Sequence, residues 1–495
     1  MGMVVLCLVV SLARAQKSVP LSSSSSFDGM SAAKLPSAGY NVDPTGAVGT
    51  KQFMQYVNTY FQAYSKLPPY APVWSTPQLF SATFTNAGLS DCKVITGDGV
   101  ILFDHLASRW VMGAHTSIPN HYYYCIAVSN TDDLSSTTLA WYTYEINLDP
   151  ILGRNSQGAY WFPDWPKLGT WADAYYLTLD LNDFDNNYQE VGVVVCALDR
   201  TNMLTGGTPR TQQCFTNPDP VTGALYLAHS LIPADIDGTT APPAGREEYL
   251  VSIENPPNDR RTTTSDTFNL WAFHVDWNVP TNSTFTQTTV PEAPYTPGCY
   301  NADNVTATVC VPEPSTGTTG QHIDSVGDRF MPRFAYRNFG TYESWLVSHT
   351  VQVGKGTSQQ TGVRWYELRG APPALYQDGD LSFDSTTFRF IPSIAQDHSA
   401  NAAAGYSVSS PTLHPGIKAA TWNLQSANAP SEFNIFRGPA DDESSWKWGT
   451  YTSMTVDPVN DCTFWYTNEY FPQPQTGTTI NWFTRIAHFR FSTCR

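Results

Sequence analysis

The sequence predicts an all-β protein that forms a single seven-bladed β-propeller of antiparallel four-stranded blades. Aromatic residues make up 13% of the 495 residues, and 36 Pro and 33 Gly interrupt the chain at short intervals, as in proteins built from many short strands and turns. Hydrophobic residues contribute 41% and charged residues only 14%, which supplies a large core and argues against a disordered chain. An internal repeat then indicates how the strands are grouped.

The repeat is clearest in the second half of the chain. Similar segments surround Pro332, Pro392 and Thr452, at equal steps of 60 residues, and a turn and two further β-rich runs follow each of them. Earlier parts of the chain repeat this plan more loosely. A period somewhat above the roughly 40–50 residues of propeller blades indicates one blade plus long loops per unit. Two β-sandwiches are the alternative. The predicted units begin near residues 44, 99, 172, 245, 332, 392 and 452.

The start of the chain predicts export. Residues 4–12 are apolar and small residues follow at positions 13 and 15, which is the pattern of a cleaved secretory signal. We therefore predict a signal peptide over residues 1–15, a flexible N-terminal segment over 16–40, and the seven-bladed β-propeller over 41–495. No later stretch is long and apolar enough for a membrane span. The expected location is secreted or extracellular, with the periplasm and the cell surface as further options.

Cysteine usage agrees with export. Nine Cys are present and Cys7 lies in the predicted signal, so eight remain, an even number that indicates disulfides. The sequence leaves many pairings open, and we expect sequential pairs because each would close within one sheet or loop. There is no CxxC pair or cluster of His, so no metal is predicted. The expected pairs are Cys92–Cys125, Cys196–Cys214, Cys299–Cys310 and Cys462–Cys494.

Five segments resemble a group of secreted bacterial β-propeller proteins of uncharacterised function. The resemblance spans nearly all of the mature chain and implies a propeller fold and export, but no activity. Thr450 stands where the resemblance leads us to expect an acidic residue, and Tyr342 stands where it leads us to expect His. The segments are 43–66 (DPTGAVGTKQFMQYVNTYFQAYSK), 162–176 (FPDWPKLGTWADAYY), 328–340 (DRFMPRFAYRNFG), 362–369 (GVRWYELR) and 448–470 (WGTYTSMTVDPVNDCTFWYTNEY).

The innermost strand of each blade is expected to line the axial channel with every second side chain. Arginines beside aromatic rings suit an acidic or sugar-like ligand, because the guanidinium binds carboxylates and the rings stack on sugars. The alternative is that these arginines pair with nearby carboxylates such as Asp328 and stiffen the blades. The predicted ligand-binding residues are Trp171, Asp173, Tyr175, Arg329, Arg333, Arg389, Tyr451, Glu343 and Glu469.

Acidic residues raise two further possibilities. Glycoside hydrolysis needs two carboxylates at roughly 5–9.5 Å, and Asp173, Glu343 and Glu469 come from three different units without any sign in the sequence that they converge. Asp235 and Asp237 precede a glycine in the manner of a calcium loop, but the remaining ligands do not follow at the required spacing. We predict no cofactor, with calcium at these two aspartates as the alternative.

Charge and missing motifs narrow the function. A formal net charge of −16 argues against nucleic acid as a partner. The usual motifs of serine hydrolases, zinc proteases and nucleotide-binding loops are missing. Our first hypothesis is a monomeric, non-catalytic propeller that binds an extracellular glycan or protein through its channel rim. The alternatives are a carbohydrate-active hydrolase or lyase acting on acidic sugars, and a structural module at a cell surface. Whether the protein is an enzyme stays open at this stage.

Overall fold

The computed structural model of the chain begins at Pro20, so the predicted signal peptide over residues 1–15 lies outside the described residues. Short segments between the elements also lie outside them. The described residues are 20–35, 39, 42–118, 121–186, 188–216, 230–253, 265–300, 308–315, 322–354, 359–426, 428–442, 446–474 and 480–494.

The strands form seven blades of four strands each, and strands that are neighbours within a blade pair antiparallel. The first strand of the chain, β1 (Leu21–Ser31), belongs to the seventh blade. The first blade consists of β2 (Thr45–Val48), β3 (Gln52–Val57), β4 (Tyr60–Ser65) and β5 (Gln78–Leu79). The second consists of β6 (Gly97–Asp104), β7 (Arg109–Ile118), β8 (His121–Ser129) and β9 (Trp141–Asn147). The third consists of β10 (Phe162–Thr170), β11 (Tyr175–Asp183), β12 (Gln189–Leu198) and β13 (Gln213–Thr216).

The fourth and fifth blades are joined, because their inner strands pair in parallel. The fourth consists of β14 (Ile232–Ile236), β15 (Glu248–Ile253), β16 (Ser265–His274) and β17 (Thr284–Tyr295). A two-stranded ribbon of β18 (Val309–Val311) and β19 (Ile323–Asp324) lies between these blades in the chain. The fifth consists of β20 (Phe330–Asn338), β21 (Glu343–Gln352), β22 (Thr361–Gly370) and β23 (Pro373–Leu381).

The last two blades complete a ring. The sixth consists of β24 (Phe388–Gln396), β25 (Asn401–Ser410), β26 (Leu413–Asn423) and β27 (Ser431–Phe436), and the seventh of β28 (Ser453–Val456), β29 (Thr463–Tyr470), β30 (Phe483–Phe491) and β1. The innermost strands β2, β6, β10, β14, β20, β24 and β28 each contact the next, and β28 contacts β2. The predicted fold class, a seven-bladed propeller of four-stranded blades, is confirmed.

The N-terminal segment closes the ring, which corrects the prediction of a flexible segment over 16–40. Strand β1 pairs antiparallel with β30, from Leu21 opposite Phe491 to Ser31 opposite Phe483. Its serines lie at the outer edge of the blade and are largely exposed, so their composition resembles that of a linker although their backbone is paired. The propeller therefore also includes residues that precede position 41.

Two unit boundaries were predicted one strand too late. The third and fourth blades begin with β10 and β14, whereas the sequence placed their starts near 172 and 245. Uneven spacing caused this error, because Pro233 lies 99 residues before Pro332 and Pro166 lies 67 residues before Pro233, whereas the later units repeat every 60 residues. Like Pro332 and Pro392, these prolines lie in an innermost strand, which is the edge of its own sheet, where proline is tolerated. Strand β10 also has a register shift between Asp164 and Lys167.

The core lies between adjacent blades and is rich in aromatic side chains. Trp110, Trp171, Trp345 and Trp482 are fully buried. The four disulfides join the predicted partners, Cys92 to Cys125, Cys196 to Cys214, Cys299 to Cys310 and Cys462 to Cys494. Within the described ranges, no helix is long and apolar enough to cross a membrane. The helices are α1 (Phe80–Asn86) and α2 (Arg200–Met203), with 3-10 turns at Ala32–Lys34, Phe184–Asn186 and Pro280–Asn282.

Candidate functional site

The site lies where the inner strands begin. Because these strands run in the same direction around the axis, their first residues gather at one end of the channel, which we call the upper mouth. The end at which they finish is the lower mouth. The hydroxyl of Tyr451 interacts electrostatically with four charged side chains, those of Asp43, Asp98, Asp164 and Arg329. These four residues and Tyr451 belong to five different blades. Ring closure therefore brings together side chains that are far apart in the sequence.

The backbone at the upper mouth is strained. Asp43, Asp98 and Trp165 have φ values of 43°, 51° and 52°, in the left-handed region that residues other than glycine rarely adopt. Aspartate tolerates this conformation better than tryptophan, for which it costs on the order of 1–3 kcal/mol. Strain of this kind is concentrated at binding and catalytic sites, where the fold holds it in place.

Two carboxyl groups form a hydrogen-bonded pair. The side chain of Asp98, at the start of β6, shares a hydrogen bond with that of Asp164 in β10, and Asp43 lies close enough to interact with the charge of Asp98. Desolvation, followed by the charges of Asp43 and Asp164, raises the pKa of Asp98 well above its usual range. Asp98 therefore retains a proton under conditions in which ordinary aspartates have lost theirs. Both pair members are only half-buried, so a ligand can reach them.

A buried lysine lies beside this pair. Lys167 is 3% exposed, and its Nζ donates hydrogen bonds to the carbonyl oxygens of Trp165 at 3.3 Å and Pro166 at 3.0 Å. The same atom lies 4.2 Å from the ring centroids of both Trp165 and Tyr451. Burial lowers the pKa of Lys167 to about 7, although the carboxylates of Asp98 and Asp180 oppose this shift. The Lys167 side chain among these carboxylates therefore loses its proton, and with it its positive charge, more readily than an ordinary lysine does.

A cleft of about 290 Å³ opens above these residues. Its walls combine aromatic rings with acidic side chains, and the segments that precede β20 and β28 build one side of it. Trp446 is 43% exposed there, whereas Trp448 is buried. Thr450 donates its backbone N–H and its hydroxyl to Asp43 Oδ1, at 2.7 and 2.6 Å. The lining residues are Asp164, Trp165, Asp180, Asn182, Tyr188, Glu190, Thr308, Asp324, Val326, Asp328, Arg329, Trp446, Lys447, Trp448 and Thr450.

Arg329 lines the cleft but is already paired. Its guanidinium donates to Asp328 at 3.0 Å and to the hydroxyl of Ser230 at 3.0 Å, and it lies 3.7 Å from Asp180. The guanidinium also stacks at 4.4 Å from the ring centroid of Trp165. The chain's own carboxylates therefore neutralise this charge, and the cleft as a whole carries more acidic than basic side chains.

Four of the predicted residues lie at the lower mouth instead. Trp171 and Asp173 are in the turn that follows β10, Tyr175 begins β11, and Glu343 begins β21. Asp173 accepts a hydrogen bond from the hydroxyl of Tyr176 at 3.1 Å, and burial raises the pKa of Asp173 to about 6. These four side chains are separated from Arg329 and Tyr451 by the length of the inner strands. Their ligand-binding role stays a prediction.

Glu343 and Tyr175 have partners within the fold. Arg246 Nη2 lies 2.7 Å from Glu343 Oε2, and the hydroxyl of Tyr175 donates to Asp104 at 3.0 Å. These contacts join neighbouring blades, and ligand binding by either residue stays a prediction.

Asp235 and Asp237 converge on an arginine. Arg333 Nη2 lies 2.6 Å from Asp235 Oδ2 and 3.0 Å from Asp237 Oδ1, and all three side chains are buried in the channel below the upper mouth. This corrects the calcium alternative, because the guanidinium occupies the point that a cation would take. Arg333 and Tyr451 line a small axial cavity, and their ligand-binding role stays a prediction.

Arg389 and Glu469 lie close to the upper mouth but do not line the cleft. Arg389 is buried and pairs with Asp384 and Glu432 of its own blade, both at 2.7 Å. Glu469 accepts a hydrogen bond from the backbone N–H of Gly449 at 2.5 Å, and burial raises its pKa well above the usual range. Neither residue lines the cleft with Arg329, and ligand binding by either of them stays a prediction.

Several residues of the site were missed by sequence reasoning. Asp164, Trp165 and Lys167 lie in a motif that had been singled out for its resemblance to other proteins, but its unequal distance from the later repeats hid the strand. Asp43 and Asp98 stand one residue before Pro44 and Gly99 at the start of their strands, just as Trp165 stands before Pro166. An alignment on these turn residues would have placed all three at one end of the channel.

Comparisons with known proteins concern the fold alone. No protein-family model matches the chain, and no curated protein matches its sequence. An α-L-arabinofuranosidase from Fusarium graminearum, solved with an iminosugar inhibitor, superposes with a TM-score of 0.40 at 10% identity, covering 82% of this chain and 95% of that one. An exo-1,5-α-L-arabinanase from a bovine ruminal metagenomic library gives a TM-score of 0.30 at 12% identity, with 68% and 97% covered.

A third structure covers more of the chain. A protein of unknown function from Dyadobacter fermentans gives a TM-score of 0.33 at 8% identity, with 91% of this chain and 95% of that one covered. At such identities and TM-scores these likenesses carry no argument about activity. The functional argument therefore depends on the side chains of the upper mouth.

Proposed function

We propose that the protein is an exported carbohydrate-active enzyme that binds a neutral glycan in the upper mouth and hydrolyses it. The observation that supports this proposal is the half-buried Asp98–Asp164 carboxyl pair, in which Asp164 lines a cleft with aromatic walls. A carboxyl group whose pKa is raised by its surroundings is suited to donate a proton to a glycosidic oxygen. Aromatic rings supply flat apolar surfaces for the faces of sugar rings.

The roles within the site follow from its contacts. Asp98 holds the proton and acts as the general acid, while Asp164, with which it shares a hydrogen bond, keeps that proton in place. A hydrogen-bonded pair is too close to supply both of the separate carboxylates that hydrolysis requires. Asp43 is our candidate for the second one, positioned by its two hydrogen bonds from Thr450.

Neutral sugars fit the cleft better than the acidic sugars considered from the sequence. Arg329 is paired with Asp328 and Asp180, so its guanidinium is not free to bind a carboxylate of a ligand. The remaining lining is dominated by acidic side chains, which would repel uronates and sialic acids. Export is supported by the four disulfides, which persist outside the cytoplasm.

The test is a screen of glycans with matched variants. Wild type, Asp98→Asn and the remote control Asp380→Asn are incubated with arabinan, xylan, mannan and β-glucan, and with polygalacturonate and sialosides as acidic substrates. We expect release of reducing ends from a neutral polysaccharide by the wild type and the control. We expect a loss of roughly 10²–10⁴-fold in Asp98→Asn, the usual contribution of a general acid. Equal rates for all three proteins, or cleavage of acidic substrates alone, would contradict the proposal.

Glycan binding without cleavage is the second candidate. It is favoured by Thr450, which contacts Asp43 in the cleft and occupies a position where the resemblance leads us to expect an acidic residue. If an acidic residue at the position of Thr450 performs hydrolysis in the proteins that this chain resembles, this chain would bind the glycan without cleaving it. Binding of a neutral glycan with no product from the wild type, followed by product from Thr450→Asp, would establish this second function.

A further inference from the structure

An exposed aromatic platform adjoins the cleft on the side of the third blade. Phe184 is 52% exposed and Tyr188 is 46% exposed, both in the connection between β11 and β12. Their ring centroids are 4.4 Å apart, and Phe162 packs against them at 4.6 and 5.9 Å. Phe162 holds both rings in place from below. We call Phe184 and Tyr188 together the outer platform.

The platform is continuous with the carboxyl pair. Tyr188 lines the cleft together with Asp164, so its ring forms part of both surfaces. Its hydroxyl also feels the charges of Asp164 and Asp98, which together with desolvation raise the pKa of Tyr188. Tyr188 therefore extends from the reacting centre of the proposed enzyme to the solvent-exposed ring of Phe184.

A second aromatic wall lies in the same cleft. Trp446, which precedes β28 of the seventh blade, lines the cleft and is 43% exposed. Its backbone carbonyl accepts a hydrogen bond from the N–H of Asp324 in β19 at 2.8 Å, which holds it in place. One cleft therefore contains the exposed rings of Tyr188 and Trp446 together with the carboxyl group of Asp164.

We propose that the outer platform is a second sugar subsite, and that the ligand is an oligosaccharide or polysaccharide chain that spans the mouth from Trp446 to Phe184. This inference rests on the proposed function, because it names the class of glycan that the cleft accepts. Two large exposed rings beside a cleft are an unfavourable surface in water, and stacking on the apolar faces of sugar rings would remove that surface from solvent. A monosaccharide could not cover both walls.

The test compares binding across chain lengths. Wild type, Phe184→Ala, Phe184→Trp and the control Tyr376→Ala are titrated with cello-, xylo- and arabino-oligosaccharides of two to six units, by calorimetry. Tyr376 is 59% exposed on the outer strand β23, far from the mouth, so it controls for the loss of an exposed ring. We expect wild-type affinity to rise with chain length. Phe184→Ala should weaken binding of the longest chains about tenfold, which corresponds to about 1.4 kcal/mol, with a smaller loss on shorter chains.

The other variants make the result decisive. Phe184→Trp should restore the affinity for long chains, because a larger ring replaces the lost surface, and Tyr376→Ala should match the wild type. If wild-type affinity does not depend on chain length, or if Phe184→Ala binds long chains as the wild type does, the second subsite is refuted while the proposed function stands. If the wild type binds no oligosaccharide and cleaves no polysaccharide, both proposals fail.

Discussion

The two ends of the channel carry the same types of charged side chain in different states of pairing. Below the upper mouth, the guanidinium of Arg333 satisfies Asp235 and Asp237, and at the lower mouth Arg337 lies 2.7 Å from Asp461. At the upper mouth, three carboxyl groups crowd around Lys167, whose positive charge is weakly held. The hydroxyl of Tyr451 and the indole N–H of Trp165 are buried there without a hydrogen-bond partner.

The difference separates structural charges from functional ones. A matched set of buried charges holds blades together and leaves nothing for a ligand to bind. An unmatched set of like charges lowers stability, and natural proteins keep such sets where binding or proton transfer requires them. The division applies to these two clusters and not to backbone strain, since Asp461 at the lower mouth has a φ of 50°, as Asp98 and Trp165 at the upper mouth have φ values of 51° and 52°.

The largest expected effect is on catalysis at the upper mouth, with an opposite effect on stability. Asp98→Asn should lower kcat by roughly 10²–10⁴-fold if Asp98 is the general acid. The same change should raise the melting temperature at neutral pH. An acid whose folded-state pKa is raised loses stability as pH rises above its unfolded value, and an amide removes that loss. The measurements are initial rates on the cleaved glycan and thermal unfolding followed by circular dichroism.

Asp235→Asn is the matched control at the paired end. It leaves Arg333 without part of its compensating charge in a buried position, so the melting temperature should fall. A rise in stability for both variants, or a fall for both, would remove the distinction between the two ends.

Arginine variants extend the same comparison. Arg333→Met leaves the two buried aspartates, Asp235 and Asp237, without their positive partner. Breaking a buried pair of this kind lowers the free energy of unfolding by roughly 3–5 kcal/mol. Arg329→Met should cost clearly less, because Arg329 lies beside an open cleft where water can reach Asp328. Urea unfolding of both variants measures the difference. Equal losses of unfolding free energy in the two variants would mean that Arg329 stabilises the fold as much as Arg333 does.

The sequence predicted much of the fold for a definite reason. The equal steps between Pro332, Pro392 and Thr452 reflect three inner strands with the same local backbone, so they revealed blades of one design. The third and fourth blades departed from that pattern because Pro166 and Pro233, in their inner strands, lie 67 and 99 residues before the next such proline. The exposed serines of β1 carried no sign of pairing, because a strand at the outer edge needs only its backbone to join a sheet.

The site was less predictable, because it depends on closure of the ring. Asp43, Asp98 and Asp164 are separated by more than fifty residues at each step, and no local pattern links them. The predicted set included Asp173 and Glu343, which follow the inner strands and therefore lie at the lower mouth. Without knowing where each inner strand begins, the end of the channel that a side chain faces cannot be assigned.

Lys167→Met gives a smaller effect on the unmatched end. The positive charge of Lys167 lowers the pKa of Asp98, and its loss should raise that pKa further. The limb of the pH–rate profile on which activity falls with rising pH should therefore move to higher pH. Lys418→Met is the control, since Lys418 pairs with Glu432 in the sixth blade. A profile that does not move would show that Lys167 does not set the protonation of the carboxyl pair.

The smallest effect concerns two histidines, one at each end. His115 lies near Asp164, and the Nδ1 of His105 accepts a hydrogen bond from the backbone N–H of Gly238, which ends the Asp235–Asp237 segment. Burial lowers the pKa of each to about 4, so both are neutral in the folded protein. Their stabilising effect is present above the unfolded-state value of about 6.5 and is lost as pH falls toward 4, because only the unfolded chain then takes up protons.

Each histidine should therefore account for roughly 1 kcal/mol of lost stability between pH 7 and pH 6. His105→Gln keeps a side-chain acceptor for the N–H of Gly238, and it should remove the part of the stability loss between pH 7 and pH 6 that His105 causes. Urea unfolding at the two pH values would measure this change. His115→Gln should remove the other share and, because His115 lies beside the carboxyl pair, should also shift the pH–rate profile. If His105→Gln shifted that profile as well, the two ends of the channel would be electrostatically coupled rather than independent.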